Sequence, residues 1–388
     1  MLTERLEFTP ERDAELFPAL PFGPAVFLLR GDDPNAQPYI SKTANLRRRL
    51  QRLLGPVEER TKKLNLRDRV SHIEFTPAGS DFESGFVLYS VLRAIFPKTY
   101  QDRLRFRFAP LVKLHLENEF PRASVTTRLG RLNGRNLYYG PFASRVAAEK
   151  FMNDSLDFFK MRRCVDDLHP DPQFPGCIYS EMKMCLAPCF KGCSNEEYSN
   201  EVNRVQDYFE SGGDSLAREF SAQREAASTA LEFEEAAAIH ARAEKLQPVL
   251  NQLPEIVHRL DHFATLMIQP SPVANAVNFF RMKDGRICGP IPFLIQPPEH
   301  TKSQSMESRV QQTLDSFPHA KASSALEAME HLALLKRWYY RGSRTGEIFF
   351  ADKSGDWPMR RVVRGLSRVY RGEQREEEVG KPPTPTNA

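Results

Sequence analysis

The stretch Cys185-Leu186-Ala187-Pro188-Cys189 carries two closely spaced cysteines, and with Cys164 and Cys177 it completes the pattern C-x12-C-x7-C-x3-C. The first seven residues are too charged to form the apolar core of an export signal, so the sequence predicts a cytoplasmic protein. A disulfide framework is not expected in that reducing compartment. Four clustered thiols in such a setting indicate a metal site around which the chain must fold.

Thiolate ligands suit two kinds of centre, tetrahedral zinc and an iron–sulfur cluster. Zinc sites usually contain two close cysteine pairs, whereas this segment has only one. We therefore favour a [4Fe–4S] cluster held by Cys164, Cys177, Cys185 and Cys189, with zinc as the alternative and a set of ordinary buried thiols as the third interpretation. Cys193 and Cys288 are left without a role.

The chain has 388 residues and a formal net charge of +4, with no apolar run long enough to cross a membrane. Its basic residues are concentrated in two segments, 42–69 and 103–135. Clustered Lys and Arg side chains suit a phosphate backbone, because each contact releases a condensed counterion. The sequence thus predicts DNA binding through a set of cations on and after the first basic helix, namely Arg47, Arg48, Arg52, Lys62 and Lys63.

Composition and hydrophobic spacing predict a multi-domain α+β protein. We expect five units in chain order. They are a small α+β domain (1–110), a cysteine-rich region that binds DNA and a metal cluster (111–195), a helical region (196–255), a second small α+β module (256–370) and a disordered tail (371–388).

Several local signals predict individual elements of these units. The predicted elements are a hairpin from the apolar runs 25–29 and 38–40, helices at 46–54 and 86–96, a helix at 144–160, a capped helix starting after Ser194 with Glu197 as its capping-box partner, a helical pair over 216–250, a hairpin around Lys283-Asp284-Gly285, a helix at 323–338 and a strand at 347–350.

Four motifs in this order resemble those of the UvrC family of excinucleases. They are Tyr139-Gly140-Pro141-Phe142, Arg162-Arg163-Cys164, the pentapeptide at 185–189, and Leu231-Glu232-Phe233-Glu234-Glu235-Ala236-Ala237. The resemblance implies a role in incision during bacterial nucleotide excision repair. It also implies that the last motif is a UVR hairpin, which docks on the helicase subunit UvrB through Leu231, Phe233, Ala236 and Ala237.

The resemblance further implies that the first domain is similar to a GIY-YIG nuclease, which cleaves a phosphodiester with Mg²⁺ or Mn²⁺. The matching catalytic positions are Tyr39, Lys42 and Arg49. Arg49 also falls between Leu46 and Leu53 on the apolar arc of its helix. An arginine directed inward needs an anion, a site or a buried partner.

Other positions depart from the family pattern. Phe27 and Leu53 replace tyrosines, Gln101 stands near the expected asparagine, and Leu88 stands where the family has its metal-binding glutamate. Leucine cannot ligate a hard divalent cation. We therefore expect a DNA-binding protein whose nuclease activity is weak or lost.

Two alternatives remain open. The first is an active single-incision endonuclease that uses another carboxylate, with Glu83, Asp81 and Asp102 as candidates. The second is an adaptor whose UVR-like hairpin recruits the helicase subunit. The family's RNase H-like and helix-hairpin-helix domains have no counterpart in the sequence, so we expect the second, 5′ incision to require another polypeptide.

Overall fold

The computed structural model describes residues 2–33, 35–56, 64–130, 134–165, 168–296 and 304–373. The DNA-binding candidates Lys62 and Lys63 and the predicted tail beyond Glu373 lie outside these ranges. Arg371, at the start of the predicted tail, is instead the last residue of a helix. Among the described helices, none combines the length and hydrophobicity needed to cross a bilayer.

An antiparallel sheet organises the first module. Its elements in chain order are β1 (Glu4–Glu7), α1 (Asp13–Ala19), β2 (Ala25–Arg30), β3 (Tyr39–Thr43), α2 (Leu46–Leu54), β4 (His72–Pro77), α3 (Asp81–Ile95) and α4 (Tyr100–Leu104). The strand order is β1-β4-β2-β3, and the hairpin predicted from the two apolar runs is present as β2 and β3. Helix α3 begins five residues before its predicted start, because Ser80 accepts a hydrogen bond from the backbone N–H of Glu83 and caps the helix.

Helices α2 and α3 lie on opposite faces of this sheet. Tyr39 packs in the apolar cluster that includes Leu46 and Leu50 of α2, whereas Ile40 packs in the larger cluster that contains Leu92 of α3. Neighbouring residues of a strand point to opposite faces. The two faces of β3 therefore serve two different helices.

A second sheet and a group of helices form the middle of the chain. The elements are β5 (Leu111–Leu114), β6 (Ala123–Thr126), β7 (Leu137–Gly140), α5 (Arg145–Leu156), α6 (Ile178–Glu181), α7 (Asn195–Glu210), α8 (Asp214–Thr229), α9 (Phe233–Leu250) and β8 (His258–Arg259). The order is β6-β5-β7-β8, so the sheet is completed by a strand that follows the helices. The predicted capping box is present, since Ser194 and Glu197 each accept a hydrogen bond from the other's backbone N–H.

The last module is a third four-stranded sheet, with order β11-β10-β9-β12. Its elements are β9 (Thr265–Pro270), β10 (Ala276–Lys283), β11 (Arg286–Leu294), α10 (Met306–Asp315), α11 (Ala325–Tyr339), β12 (Glu347–Phe350) and α12 (Met359–Arg371). The predicted turn at 284–285 joins β10 to β11, with Lys283 opposite Arg286. Helix α12 was not predicted.

Glu330 of α11 joins the last module to the first. This side chain has no exposed surface. Its carboxylate accepts hydrogen bonds from the hydroxyls of Tyr89 (2.8 Å) and Tyr100 (2.5 Å) and from the amide of Gln101 (2.7 Å). The donors come from α3 and α4, so one buried carboxylate connects three helices.

His331, the next residue of α11, is buried in the same contact. Its Nδ1 atom accepts a hydrogen bond of 2.7 Å from the backbone N–H of Ile287, and its ring packs edge-on against Phe86 and Tyr89. Burial lowers the pKa of His331 to about 4, although the charge of Glu327 opposes this shift. The imidazole is therefore neutral in the folded protein.

The stability of the protein should fall between pH 6.5 and pH 4 because of His331. An unfolded histidine has a pKa of about 6.5 and binds a proton in this window, whereas the folded one does not. The contribution is complete above pH 6.5 and decreases as the pH falls, by up to about 3 kcal/mol at pH 4. We expect His331→Asn, which keeps an acceptor, to flatten this dependence in urea unfolding. His240→Asn, at an exposed histidine, is the control, and an unchanged slope in His331→Asn would contradict the assignment.

Candidate functional site

Tyr39 and Arg49, two of the three predicted catalytic residues, are in direct contact. Arg49 Nη2 donates a hydrogen bond of 2.8 Å to the Tyr39 hydroxyl, and both side chains are half-buried. The arginine is held inward because α2 buries Leu46, Leu50 and Leu53 on the same side. The pair can present a hydroxyl and a cation to one phosphate, and groups of this kind can stabilise the negative charge of a phosphodiester.

Lys42, the third predicted catalytic residue, belongs to a different group. Its Nζ atom lies 2.6 Å from Asp81 Oδ1 at the start of α3, and Arg341 from the last module pairs with the other carboxylate oxygen. Burial raises the pKa of Asp81, but the hydrogen bond and charge of Lys42 and the charge of Arg341 outweigh it, so the net pKa is lowered. Lys42 is thus neutralised on the α3 side of the sheet.

The positions that depart from the family pattern lie in apolar or occupied surroundings. Leu88 packs half-buried in the large apolar cluster, and Phe27 and Leu53 are buried in the smaller one. Gln101 donates its amide to Glu330. Among the described residues, the side chains at positions 27, 53 and 88 are thus packed against apolar groups and supply no oxygen ligand.

The alternative carboxylates do not provide a site for Mg²⁺ either. Glu83 is buried and accepts hydrogen bonds from the backbone N–H of Gly79 (2.8 Å) and from Asn278 (2.9 Å) of the last module. Burial raises its pKa despite those two bonds. Asp81 is held by two cations, and Asp102 is exposed on α4. Glu83 and Asp81 are therefore both occupied, and the described residues contain no group of three His, Cys, Asp or Glu side chains that could hold a metal ion.

The predicted DNA-binding arginines of α2 differ in their contacts. Arg47 donates two hydrogen bonds to the Leu20 carbonyl oxygen, at 3.0 and 2.7 Å. Arg48 and Arg52 are exposed one helical turn apart. Within the described part of the chain, Arg48 and Arg52 have no acidic partner and can meet an external anion, whereas Arg47 also has a structural role.

The four predicted metal ligands lie in one region and are all half-buried. Their sulfur atoms accept hydrogen bonds, for example Cys164 Sγ from Arg162 at 3.4 Å and Cys185 Sγ from the backbone N–H of Ala187 at 3.3 Å. Donors of this kind favour the thiolate form that a metal requires. Arg162 itself is buried and also donates to the Phe120 carbonyl oxygen at 2.9 Å.

The cysteines are close enough to influence one another. Burial raises the pKa of Cys185 to about 11, and charges on Cys164, Cys189 and Cys177 add to the increase. In the described part of the chain, however, no three His, Cys, Asp or Glu side chains are arranged closely enough to hold an ion. Four thiols are the right kind of ligand for a thiolate-bound metal centre, but their sulfur atoms are not arranged around a common point where an ion could bind.

The predicted partner-binding residues lie at the tip of the α8–α9 hairpin. Leu231 is 71% exposed and Phe233 is 65% exposed, and Ala237 is exposed beside them. Ala236 is half-buried and packs against the helical core. Large apolar side chains on a polar hairpin form a surface suited to another protein.

Some residues with clear roles were missed by the sequence analysis. Glu330 and Arg341 reach the first module from more than 200 residues away, and no local pattern indicates such pairs. Helix α12 did have a signal, because its apolar residues Val362, Leu366 and Val369 recur at helical spacing.

Comparison with known proteins identifies a matching family and several similar proteins. The family described as UvrC/Cho excinuclease, middle domain, matches residues 110–208. The UvrABC system protein C of Rickettsia bellii (strain RML369-C) is 27% identical over 284 residues, which cover 72% of this chain and 43% of that protein. That of Alcanivorax borkumensis is 27% identical over 252 residues, covering 65% of this chain and 41% of that protein.

These alignments span less than half the length of the curated relatives. No solved structure matches the chain. The matched middle domain contains the four cysteines and the buried Arg162, and the longer alignments extend the likeness over about 70% of the chain. The chain is therefore a UvrC-like protein.

Proposed function

We propose that this protein acts in nucleotide excision repair in the cytoplasm by binding DNA, and that its GIY-YIG-like site has little or no nuclease activity. One observation supports the proposal: Arg49 and Tyr39 are in hydrogen-bond contact, while Leu88, at the position that the resemblance assigns to the metal-binding glutamate, packs in an apolar cluster. Cations and a hydroxyl can hold a phosphate without metal, whereas hydrolysis needs the metal to stabilise the developing charge.

The purified protein should bind a damaged or branched duplex in the presence of Mg²⁺ or Mn²⁺ without nicking it. Leu88→Glu supplies the oxygen ligand and should create or greatly raise metal-dependent nicking, which Arg49→Ala should abolish in the same background. Leu88→Gln is a control of matched size without the charge.

Nicking by the wild-type protein that Arg49→Ala abolishes would establish the alternative, an active endonuclease with a carboxylate elsewhere. A folded Leu88→Glu variant without activity would show that position 88 does not correspond to the family's glutamate.

We further propose that Cys164, Cys177, Cys185 and Cys189 hold a [4Fe–4S] cluster. The support is the set of four thiols, the N–H donors to two of their sulfur atoms and the spacing with one close pair. Such a cluster would cross-link the segment between α5 and α7, and the DNA-binding surface of the middle domain would depend on it.

Anaerobic purification should yield iron and acid-labile sulfide in equal amounts. Cys185→Ser should lose most of both, because the remaining three thiolates leave one iron without a protein ligand. Cys288→Ser, outside the cluster, is the matched control and should retain both. Zinc without sulfide would favour the tetrahedral alternative and overturn the iron–sulfur assignment.

A second function is favoured by the exposed hairpin tip. We propose that Leu231 and Phe233 dock on a UvrB-like helicase subunit, since exposed apolar anchors at the centre of an interface contribute most of its binding energy. Further along the hairpin, the family's R-L-R-D positions read Ala238, Ile239, His240 and Ala241, so both arginines and the aspartate are replaced. Apolar contacts would therefore dominate this interface.

Phe233→Asp should reduce capture of the helicase subunit by at least tenfold, because it places a charge in the apolar contact. Val273→Asp, at another exposed apolar residue, should leave capture unchanged. Equal capture by both variants and the wild type would exclude the tip as the docking site.

A further inference from the structure

Helix α12 has an unusual distribution of charge. Its sequence, MRRVVRGLSRVYR, contains five arginines and no acidic residue over 13 positions. A solvent-facing helix surface normally mixes both signs, and cations near a helix N-terminus are disfavoured by the helix dipole. Arg360 and Arg361 nevertheless occupy the first turn, where no acidic residue is present. Helix stability alone does not account for these arginines.

The arginines fall into two lines along the helix. At 100° per residue, Arg360, Arg364 and Arg371 lie within about 40° of one another, and Arg361 and Arg368 lie about 80–100° from Arg360. The buried side chains Val362, Leu366 and Val369 are on the opposite side from the first line. The first line therefore points directly away from the protein.

The second line of arginines, Arg361 and Arg368, forms ion pairs with other parts of the protein. Arg368 makes two hydrogen bonds to the buried carboxylate of Glu347, at 2.6 and 2.7 Å, and Arg361 pairs with Glu255 at 3.0 Å. Gly365 lets α12 approach β12 closely, since a Cβ atom there would lie 2.3 Å from Phe349. These contacts fix the rotation of the helix.

The first line has few partners. Within the described residues, Arg360 and Arg364 are exposed and have no acidic partner, and Arg371 makes only an exposed pair with Glu373 at 2.9 Å. An exposed pair of this kind contributes little stability. The line is about 16 Å long, with roughly one cation per helical turn at its start.

We propose that Arg360, Arg364 and Arg371 bind the phosphate backbone of duplex DNA, as a contact separate from the first module. A row of exposed guanidinium groups, two of them without an acidic partner among the described residues, suits a regular array of phosphates. A membrane surface does not fit, because the apolar face that would enter the lipid is already buried against the third sheet. The inference rests on the proposed function in one respect, which is that DNA is the polyanion that these arginines bind.

The test is the salt dependence of binding to an undamaged duplex. Removing two phosphate contacts in Arg360→Gln/Arg364→Gln should reduce the slope of log K against log salt by about 1.8. Lys283→Gln/Lys321→Gln removes the same charge from exposed positions of the same module and should leave the slope unchanged. Arg360→Glu/Arg364→Glu should weaken binding further while retaining the fold, because acidic residues are favourable near a helix N-terminus.

Three results would overturn the proposal: a wild-type slope in Arg360→Gln/Arg364→Gln, an equal reduction of the slope in Lys283→Gln/Lys321→Gln, or no binding of the wild-type protein to the duplex. Equal displacement by polyglutamate would assign the surface to an acidic protein and overturn it too. Arg48→Gln/Arg52→Gln separates the two surfaces. If only this variant loses binding, the proposed DNA contact of the first module stands and that of α12 fails; if only the α12 variant loses binding, the reverse holds.

Discussion

The arrangement of the first and last modules depends on a carboxylate that has no access to water. A carboxyl group in this position is tolerated only when its hydrogen bonds are made, because a buried polar group without partners is costly. Glu330 receives three donors, all from α3 and α4. Burial, together with Glu330 itself, raises the pKa of Tyr89 and Tyr100, so both hydroxyls keep the proton that they donate.

The charged side chains of α3 also contact the last module. Arg93 pairs with Glu327 of α11 at 2.7 Å, Glu83 binds Asn278, and Asp81 binds Arg341. Hydrogen bonds from Ser323 and the charge of Arg93 outweigh burial and lower the pKa of Glu327 to about 2, so this pair stays ionised. All three charged residues of this helix thus help to hold the two modules together.

Local sequence patterns predicted local structure, but they could not predict side-chain pairs between residues far apart in the chain. The two hairpins, the capping box at Ser194 and the inward direction of Arg49 follow from spacing within a few residues. The sequence could also have predicted that Lys42 and Tyr39 lie on different faces of the sheet, because residues three apart on a strand point to opposite sides. The partners of Glu330 and Glu83 were not, because pairing across more than 190 residues leaves no periodic trace. Nor could spacing show whether four cysteines close around an ion.

Charge counts alone overstate the surface available to DNA, because many arginines are already used by the fold. Arg47 binds a carbonyl oxygen, Arg93 and Arg368 bind buried carboxylates, and Arg162 supports the cysteine segment. A guanidinium group bound in this way must leave its partner unpaired before it can meet a phosphate, and that exchange offsets the gain. Exposed arginines without acidic partners bear no such cost. In the described residues they include Arg48 and Arg52 on α2 and Arg360 and Arg364 on α12, so a phosphate contact at either helix would not require an existing ion pair to break.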